Sequence, residues 1–516
     1  MLARQLSALV AHGVERATVV AGPGNADAVR NLLDRCLGGH PLEVTIAVQQ
    51  RPAGPGHALQ TGLAYVSEDE TLLLVLADTW FDDLPPLDRD WIGVRPAPFA
   101  RRWCAVGVRD GDVVDSFEDR VVPTGQSPVA VGLYHLTRVD TLREIAGEVV
   151  AEPDRGELEL SEMLGPYVKE HQTHVADIAS WRDCGDLDGV LSARRAQFFS
   201  RSFNRLSLDT RGVLHKAGDS EAFRDEAAFL RGLGPSRQAF FPRVFSIADD
   251  LTSYQMEYLD LPTMSEVYLY RPAPDGWWAQ TLRRVLAELS AHFWTADGDV
   301  SYPDLERRCH AMYVDKLWKR WRMVRHAHPA FRAAELLING EAVPGGEWCV
   351  EWLAAELTGL AAHCVPAFVH GDLNFSNILH SPGTGIFRLV DPRGEFGGQA
   401  HTGDLRYDLA KLRHSYAGLY DAIVHGLYRL RVDDTAEISF HLGPDRRREA
   451  VQLDDVLAEV VPDRYAIRAI ECSLFMSMLP LHGDDPRRQL ALFTRGIQLI
   501  AELRTEVGSN VTAVIA

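Results

Sequence analysis

The sequence is poor in cysteine, has fewer basic than acidic residues and lacks any long hydrophobic run. Its 7 cysteines are scattered over 516 residues without a CxxC pair, which argues against a disulfide framework or a zinc cluster. The 53 Lys and Arg residues are outnumbered by 72 Asp and Glu, and the net charge of −19 disfavours proteins that bind nucleic acid or a membrane through clustered cations. A membrane-spanning helix needs about 18 consecutive apolar residues, and no such run occurs. We therefore expect a cytoplasmic protein with reduced thiols that binds small molecules, without nucleic-acid partners or membrane insertion; these features predict no oligomeric state.

The hydrophobic pattern of the first half indicates an α/β domain. With 46% hydrophobic and 24% charged residues, the chain is long enough for two or three cores. Residues 2–80 alternate between amphipathic helical segments and short strands, which predicts βαβ units with a parallel sheet. Residues 100–180 turn to shorter strands around a helix at 161–170. We predict one domain over residues 1–195.

A second pattern begins near residue 200. The segment "SFNRLSLDTRGVLHKAG" predicts a hairpin with its turn at Asp209–Gly212, followed by a helix and two strands. After residue 262 the chain is mostly helical, interrupted around "HGDLNFSNILH" and "FRLVDPRG". The pattern predicts a second domain with a small mixed part over 200–262 and a larger helical part over 263–516.

The stretch "HGDLNFSN" carries residues at a spacing that phosphoryl transfer uses. This reaction needs a carboxylate beside the attacking hydroxyl and oxygen ligands for Mg²⁺. Asp372 would accept the hydroxyl proton, and Asn377 would hold Mg²⁺ from the same loop. Asp391 ends the apolar strand of "FRLVDPRG", where it could bind the metal that bridges the ATP phosphates. The motif therefore predicts an ATP- and Mg²⁺-dependent site.

The partners of this site are expected upstream. Lys216 ends the strand "GVLHK", and Glu226 lies in the helix "AFRDEAAFL", so the two could pair and hold the ATP phosphates. The segment "YQMEYLD", around Met256 and Glu257, is then predicted to be the hinge whose backbone meets the adenine.

These residues resemble the aminoglycoside phosphotransferase and choline kinase family, an offshoot of the protein-kinase fold. The resemblance covers roughly residues 200–516. It implies a two-lobed fold, with the N-lobe and hinge at 200–262 and a helical C-lobe at 263–516. The segment "DPRG" stands where the kinase fold has a DFG-type triplet. It retains the aspartate, so the metal role implied for Asp391 is unchanged.

The resemblance also implies a role for each motif residue. Asp372 would be the catalytic carboxylate, Asn377 and Asp391 the metal ligands, and Lys216 with Glu226 would orient ATP. Further along, "GDLRYDLAKLRHS" has two aspartates expected to be buried and to brace the catalytic loop, Asp404 and Asp408. Three tryptophans could stack on a sugar or an ammonium group but are more often part of a helical core: Trp277, Trp278 and Trp294.

The first half contains its own candidate residues for nucleotide binding. Asp78 ends the strand in "VLADTW", and ligands bind at the carboxyl ends of parallel strands, so this carboxylate could bind Mg²⁺ on a nucleoside triphosphate. The turn "QQRPAGPGHAL" provides the amide of Gln49 and a glycine, Gly54, where backbone can approach a flat base. Asp183 in "SWRDCGD" is a candidate second metal ligand.

These pieces resemble, in order, the sugar-phosphate nucleotidyltransferases, over about residues 1–190. The resemblance makes "VQQRPAGPGHAL" the base-binding turn, "LADTW" and "WRDCGD" the metal aspartates, and "RGELELSEML" the stretch that meets the sugar, and it implies a Rossmann-like fold. The family opens with a strand and a Gly-rich loop that hold the triphosphate, whereas this chain starts at "MLARQLSALV". We expect either a degenerate domain, in which Asp78 and Asp183 bind nothing, or a longer natural chain.

The combined prediction is a small-molecule kinase fused to a nucleotidyltransferase-like domain. The kinase would phosphorylate a hydroxyl of a sugar, cyclitol or amino alcohol with ATP and Mg²⁺, and the first domain would use a second nucleotide, CTP or UTP, to make an NDP derivative for a surface polysaccharide or natural product. The alternatives are a choline kinase joined to a phosphocholine cytidylyltransferase, and a pseudoenzyme that senses an NDP-sugar or acts as a scaffold.

Overall fold

The structure is a computed structural model of the chain. The residues it describes are 2–26, 29–30, 33, 42–96, 103–122, 127–149, 157–185, 205–209, 211–271, 273–296, 300–432, 437–443 and 445–511. They form two compact units, one that ends before residue 186 and one that begins at residue 205. Residues 186–204, between the two units, lie outside the described residues.

The first unit alternates helices and strands. Its helices are Leu2–Ala11, Gly54–Leu63, Val139–Glu148 and Leu160–Glu170. Its strands are β1 (Arg16–Ala21), β2 (Glu43–Val48), β3 (Leu72–Val75), β4 (Thr79–Trp80), β5 (Trp91–Pro96), β6 (Trp103–Arg109), β7 (Val113–Val121), β8 (Pro128–Leu136), β9 (His174–Asp177) and β10 (Arg182–Asp183). The α/β class and the helix predicted at 161–170 are confirmed.

Strand direction agrees with the sequence prediction in one place and differs in another. β1 and β2 pair in parallel, as the βαβ pattern predicts. β3 instead pairs antiparallel with β8, in a sheet ordered β3–β8–β5–β9–β7–β6 where β5 and β9 are parallel and the other pairs antiparallel. Periodicity shows that a segment is a strand but not which distant strand it joins. The parallel-sheet prediction is therefore wrong for β3.

One helix closes a face of this sheet. Leu160–Glu170 begins with a capping box, in which the side chains of Glu159 and Glu162 each accept a bond from the other's backbone. Its buried residues Met163 and Tyr167 join the core formed by the sheet. Burial of such side chains stabilises the unit by about 1.5–3 kcal/mol each.

The second unit begins with an antiparallel sheet and a helix. The strands are β11 (Arg205–Leu208), β12 (Val213–Ala217), β13 (Val244–Ile247) and β14 (Ser253–Glu257), in the order β11–β12–β14–β13. The hairpin predicted around Asp209–Gly212 joins β11 to β12. The predicted helix is Glu221–Arg231, capped by Ser220, whose hydroxyl accepts a bond from Phe223 N–H.

The rest of the second unit is mainly helical. Its longer helices are Met264–Tyr270, Trp277–His292, Tyr302–His310, Lys316–Val324, Gly346–Ala361, Leu405–Tyr416, Arg447–Ala458, Arg464–Met478 and Pro486–Val511. Arg464–Met478 is buried on nearly every side, as expected of a helix at the centre of a bundle. Among the described helices, none is both long and apolar enough to cross a bilayer.

Short strands interrupt the helices. Two hairpin-like pairs flank the predicted catalytic motif: β17 (Pro366–Phe368) with β20 (Thr402–Asp404), and β18 (Ile378–His380) with β19 (Phe387–Leu389). A further sheet, in the order β16–β15–β22–β21, was not predicted from the sequence. It consists of β15 (Glu335–Ile338), β16 (Glu341–Pro344), β21 (Tyr428–Val432) and β22 (Glu437–Leu442).

Candidate active site

The loop that follows β17 is fixed by one buried carboxylate. Asp408, on the helix Leu405–Tyr416, accepts hydrogen bonds from the backbone N–H groups of His370 and Gly371, each at 2.8 Å, and from Trp294 Nε1 at 3.0 Å. Burial raises the pKa of Asp408 to about 6, although the three donors favour its ionised form. Asp408 therefore braces the backbone of the motif "HGD" from a separate helix.

Asp404 stabilises the start of that helix. Its side chain accepts a bond from the Arg406 N–H as the N-cap, and it pairs with the Arg406 guanidinium in the interior at 2.6 Å. The structure thus confirms that Asp404 and Asp408 are buried, and gives the bracing of the loop backbone to Asp408.

His370 connects the loop to the strand before Asp391. Its Nε2 donates to the Val390 carbonyl at 3.1 Å, and its Nδ1 accepts from the Asp372 N–H at 3.3 Å. Burial lowers the pKa of His370 to about 4, so the ring is neutral at physiological pH and fits the tautomer with hydrogen on Nε2. His370 therefore has a positioning role, with both ring nitrogens engaged in hydrogen bonds.

Asp372 is held by one residue at each carboxylate oxygen. Asn377 Nδ2 donates to Oδ2 at 3.1 Å, and Lys411 Nζ lies 2.7 Å from Oδ1. Burial raises the pKa of Asp372, but the Lys411 ammonium, helped by His370 and Arg393, lowers the pKa overall. The side chain is 36% exposed, so a substrate hydroxyl can reach an ionised carboxylate.

Asn377 and Asp391 are brought together by the hairpin of β18 and β19. Asn377 immediately precedes β18, Asp391 follows β19, and the Val390 N–H donates to the Asn377 carbonyl at 3.0 Å. Asp391 has φ of 54° and a carboxylate that is 55% exposed. One carboxylate and one amide oxygen suit Mg²⁺, which completes its shell with phosphate oxygens and water. Within the described ranges, no three His, Cys, Asp or Glu side chains form a metal site of their own.

Lys216 joins the sheet to both carboxylates predicted for ATP binding. Its Nζ lies 2.6 Å from Glu226 Oε1 and 2.9 Å from Asp391 Oδ1. Tyr254, opposite Lys216 on β14, donates its hydroxyl to Glu226 Oε1 at 2.5 Å. Burial lowers the pKa of Lys216, but Asp391 and Glu226 outweigh burial and raise the pKa overall. The predicted pairing of Lys216 with Glu226 is confirmed, and the lysine is a buried cation.

The predicted hinge is the end of β14. Met256 is buried within the sheet, and Glu257 is the last residue of the strand. The Glu257 N–H donates to the Arg243 carbonyl and the Tyr258 N–H to the Gly212 carbonyl. These two amides are therefore engaged by protein, and adenine contacts from this segment are left to its carbonyls or to the residues that follow Tyr258.

The first unit brings its two predicted metal aspartates together. β4 pairs antiparallel with β10, which puts Asp183 opposite Thr79, next to Asp78. A Cβ built on Gly185 would lie 3.1 Å from Asp183 Oδ1 and 3.2 Å from Asp78 Oδ2, so both carboxylates face this glycine. Two carboxylates are a donor set that suits Mg²⁺. They are 105 residues apart in the sequence.

Backbone packing, and not only contact with a base, explains why the predicted base-binding turn contains glycine. Gly54 has φ of +89°, and a Cβ there would lie 2.6 Å from the Leu158 carbonyl oxygen. The turn docks on the chain around Leu158, whose N–H donates to the Ala53 carbonyl. Gln49 is buried and its Nε2 lies 2.6 Å from His57 Nδ1. The lack of Cβ is thus explained by backbone contact, and binding of a base remains a prediction for Gln49 and Gly54.

Several residues of the site were not predicted from the sequence. Lys411 is the most important, because it touches Asp372 directly. It lies three residues after Asp408 on one helix, a spacing that puts both side chains on the same face, so the bracing role predicted for Asp408 could have revealed it. Trp278 and Trp294 are buried in the core, as the sequence favoured.

Comparisons with known proteins agree with this geometry in the second unit. Residues 206–441 match the model of the APH family, described as a phosphotransferase enzyme family. Residues 206–441 form a phosphotransferase domain. This domain contains every kinase residue predicted above, from Lys216 to Asp391, as well as Lys411, and the match supports the phosphotransferase activity that the sequence resemblance implied.

Solved structures give weaker likenesses. One is a UDP-glucose pyrophosphorylase complexed with UDP-glucose (15% identity, TM-score 0.33, covering 39% of this chain and 87% of that one). Another is a glucose-1-phosphate thymidylyltransferase from Bacillus anthracis (17%, 0.33, 38% and 82%), and a third is HddC from Yersinia pseudotuberculosis (16%, 0.30, 38% and 84%). The search of curated proteins finds no match. At these TM-scores the likenesses support no argument about function.

Proposed function

We propose that the phosphotransferase domain transfers the γ-phosphoryl group of ATP to a hydroxyl of a small molecule. The observation that carries this proposal is the setting of Asp372, an ionised and partly exposed carboxylate held at both oxygens. Lys216, Glu226 and Asp391 form a connected group beside the hairpin that also holds Asn377. These are the parts that a phosphoryl-transfer site requires.

In the proposed reaction the acceptor oxygen forms a bond to the γ-phosphorus, and the bond from that phosphorus to the β–γ bridging oxygen breaks. The acceptor proton goes to Asp372, and ADP leaves with the bridging oxygen. General-base assistance of this kind contributes about 10²–10⁴ in rate. Mg²⁺, when bound by Asn377 and Asp391, would neutralise phosphate charge. Lys216 would give up its contact with Asp391 and bind phosphate oxygens instead.

We also propose nucleotidyl transfer as a second function, for the first unit. The adjacent carboxylates of Asp78 and Asp183 favour it, because a triphosphate-bound Mg²⁺ needs such ligands. The phosphomonoester made by the kinase would then be activated as an NDP derivative with CTP or UTP, in the cytoplasm, for a polysaccharide or natural product. Sugars, cyclitols and amino alcohols are the acceptor classes to test.

The kinase proposal is tested by product mass. The full-length protein is incubated with ATP, Mg²⁺ and a panel of sugars, cyclitols and amino alcohols, and each compound is examined for the added mass of one phosphoryl group. The Asp445→Asn variant, which changes an exposed aspartate of the same unit, is the matched control for Asp372→Asn. A phosphorylated acceptor in wild type and control, absent with Asp372→Asn, supports the proposal. No product from any acceptor, together with no ATP turnover, favours the scaffold alternative.

A further inference from the structure

Basic side chains are concentrated next to Asp372, although the chain as a whole is strongly acidic. They surround the buried phenol of Tyr407, on the same helix as Lys411. We call this group the cation cluster, and its members are Lys316, Arg320, Arg393 and Lys411.

Two members of the cation cluster are neutralised by carboxylates. Lys411 pairs with Asp372 at 2.7 Å, and Arg393 pairs with Glu395 at 3.0 Å. Glu395 is engaged further, because its other oxygen accepts from the Gly398 N–H at 2.7 Å. These two carboxylates therefore have little capacity left for other cations.

The other two members form hydrogen bonds only with neutral groups. Lys316 Nζ donates to the Tyr407 hydroxyl at 3.3 Å, and Arg320 Nη1 donates to the Ser477 carbonyl at 3.0 Å. In the part of the chain that the structure describes, no carboxylate lies within ion-pair distance of either. The cation cluster thus holds two positive charges in excess.

These charges shift the pKa values of the neighbouring groups. Burial raises the pKa of Tyr407, but Lys316, Lys411 and Arg393 outweigh burial and lower the pKa to about 8. Tyr313, equally buried, has a raised pKa because burial raises it and the carboxylate of Asp404 raises it further. Burial, opposed by Tyr407 but reinforced by the other cations, lowers the pKa of Lys316 to about 8. Partly buried cations without counter-ions are costly unless a ligand anion neutralises them.

The cation cluster meets Asp372 on the oxygen that the metal ligands do not use. Asn377 contacts Oδ2, whereas Lys411 contacts Oδ1. Asn377 is joined through the hairpin to Asp391 and so to Lys216, which is where the nucleotide phosphates are expected. Through Lys411, the cation cluster therefore reaches the oxygen of Asp372 that Asn377 does not contact, which we assign to the acceptor side.

We infer that the acceptor is itself an anion, a hydroxyl compound with a carboxylate or phosphate group that Lys316 and Arg320 bind while its hydroxyl meets Asp372. The inference rests on the proposed kinase function. Arg and Lys suit this role because they form charge-assisted bonds to carboxylate and phosphate oxygens. It disfavours choline, since a quaternary ammonium would face like charges and the two buried tryptophans near the loop form core contacts.

The first test measures anion binding without turnover. Inorganic phosphate is titrated by calorimetry into the full-length protein saturated with Mg²⁺ and a non-hydrolysable ATP analogue, so that the nucleotide site is occupied. Wild type is expected to bind one phosphate, and Lys316→Met and Arg320→Met each to weaken binding about tenfold or more. Arg283→Met, which changes an exposed arginine paired with Glu459, is the control and leaves binding unchanged. Equal affinity in wild type and Lys316→Met overturns the inference.

The second test compares matched acceptors. Wild type is expected to phosphorylate a sugar acid or sugar phosphate with kcat/KM at least about tenfold above the corresponding neutral sugar, and Lys316→Met to remove most of that preference without changing the KM for ATP. An equal loss on both acceptors would assign the cations to the transferred phosphoryl group and contradict the inference. If the wild type phosphorylates no acceptor but still binds phosphate, the proposed kinase function is overturned and the anion-binding site is retained.

Stability provides a third readout. If Lys316 serves a ligand, its replacement by methionine relieves repulsion within the cation cluster, and the Tm stays equal or rises by a few degrees. If Lys316 is only a structural residue, the Tm falls and anion binding is unaffected. The two roles are thus distinguished even where the variant folds normally.

Discussion

Lys411 Nζ lies 2.7 Å from Asp372 Oδ1, and this pair joins the helix Leu405–Tyr416 to the loop that holds the proposed catalytic carboxylate. The same helix carries Asp408, which binds the backbone of the loop. One helix therefore sets both the position of the loop and the charge state of Asp372. Substitutions of Lys411 and of the groups around Asp408 separate these two effects.

Replacing Lys411 by methionine is expected to lower kcat by about 10²-fold or more, because Asp372 loses the cation that orients it and keeps it ionised. The KM for ATP is expected to change little, since Lys411 contacts the oxygen of Asp372 opposite Asn377. Steady-state kinetics checks this split, with Lys319→Met as the control at an exposed lysine. A higher KM for ATP at unchanged kcat would place Lys411 in nucleotide binding instead.

Lys216→Ala is expected to raise the KM for ATP and lower kcat together, because we propose that its cation binds the phosphates in both ground and transition states. Glu226→Gln should give a milder form of the same defect, since Tyr254 can still contact the side chain at position 226 and Asp391 can still pair with Lys216. ATP titrations of both variants measure the effect. An unchanged ATP dependence in both would show that the Lys216–Glu226 pair does not serve ATP.

The hydrogen bonds that Asp408 accepts from the loop backbone predict a pH dependence of activity. Its pKa is raised to about 6 in the folded protein, so its protonation on acidification favours the fold, and that contribution is lost as pH rises through about 6. Protonation nevertheless weakens an acceptor for the His370 and Gly371 N–H groups. We expect kcat/KM to fall below about pH 6 while circular dichroism remains unchanged.

The control for this effect is Trp294→Phe. It removes one donor to the Asp408 carboxylate, which raises the pKa further and moves the acidic limb of the rate profile to higher pH. An acidic limb that stays in place in this variant would assign the titration to another group.

The paired aspartates of the first unit predict a metal-dependent nucleotide site. In a Lys216→Ala background, which weakens the kinase site, Asp78→Asn and Asp183→Asn are each expected to reduce Mg²⁺-dependent binding of CTP or UTP by about tenfold or more. Asp177→Asn, an exposed aspartate of the same unit, should have no effect. Unaltered binding in both variants would mean that these carboxylates do not hold the metal.

The sequence predicted the parts of the site that lie close together along the chain. Asp372, Asn377 and Asp391 fall within 20 residues, where motif spacing constrains geometry, and the Lys216–Glu226 pair follows from a strand and the helix after it. Lys411 was missed because it reaches Asp372 from a helix 39 residues further on, and lysine on a helix is most often solvated. The direction of β3 was missed because its partner β8 is also distant, and periodicity carries no information on direction.

In the proposed reaction, Asp372 receives the proton of an acceptor hydroxyl during phosphoryl transfer. The most direct measurement is single-turnover transfer of the isotope-labelled γ-phosphoryl group of ATP to an acceptor found in the mass screen, in wild type and Asp372→Asn. We expect transfer to be slowed about 10²-fold to 10⁴-fold in Asp372→Asn, with the Kd for ATP within a few-fold of wild type, because the amide keeps the shape and loses the proton acceptor. Transfer at the wild-type rate in Asp372→Asn would contradict this role of Asp372.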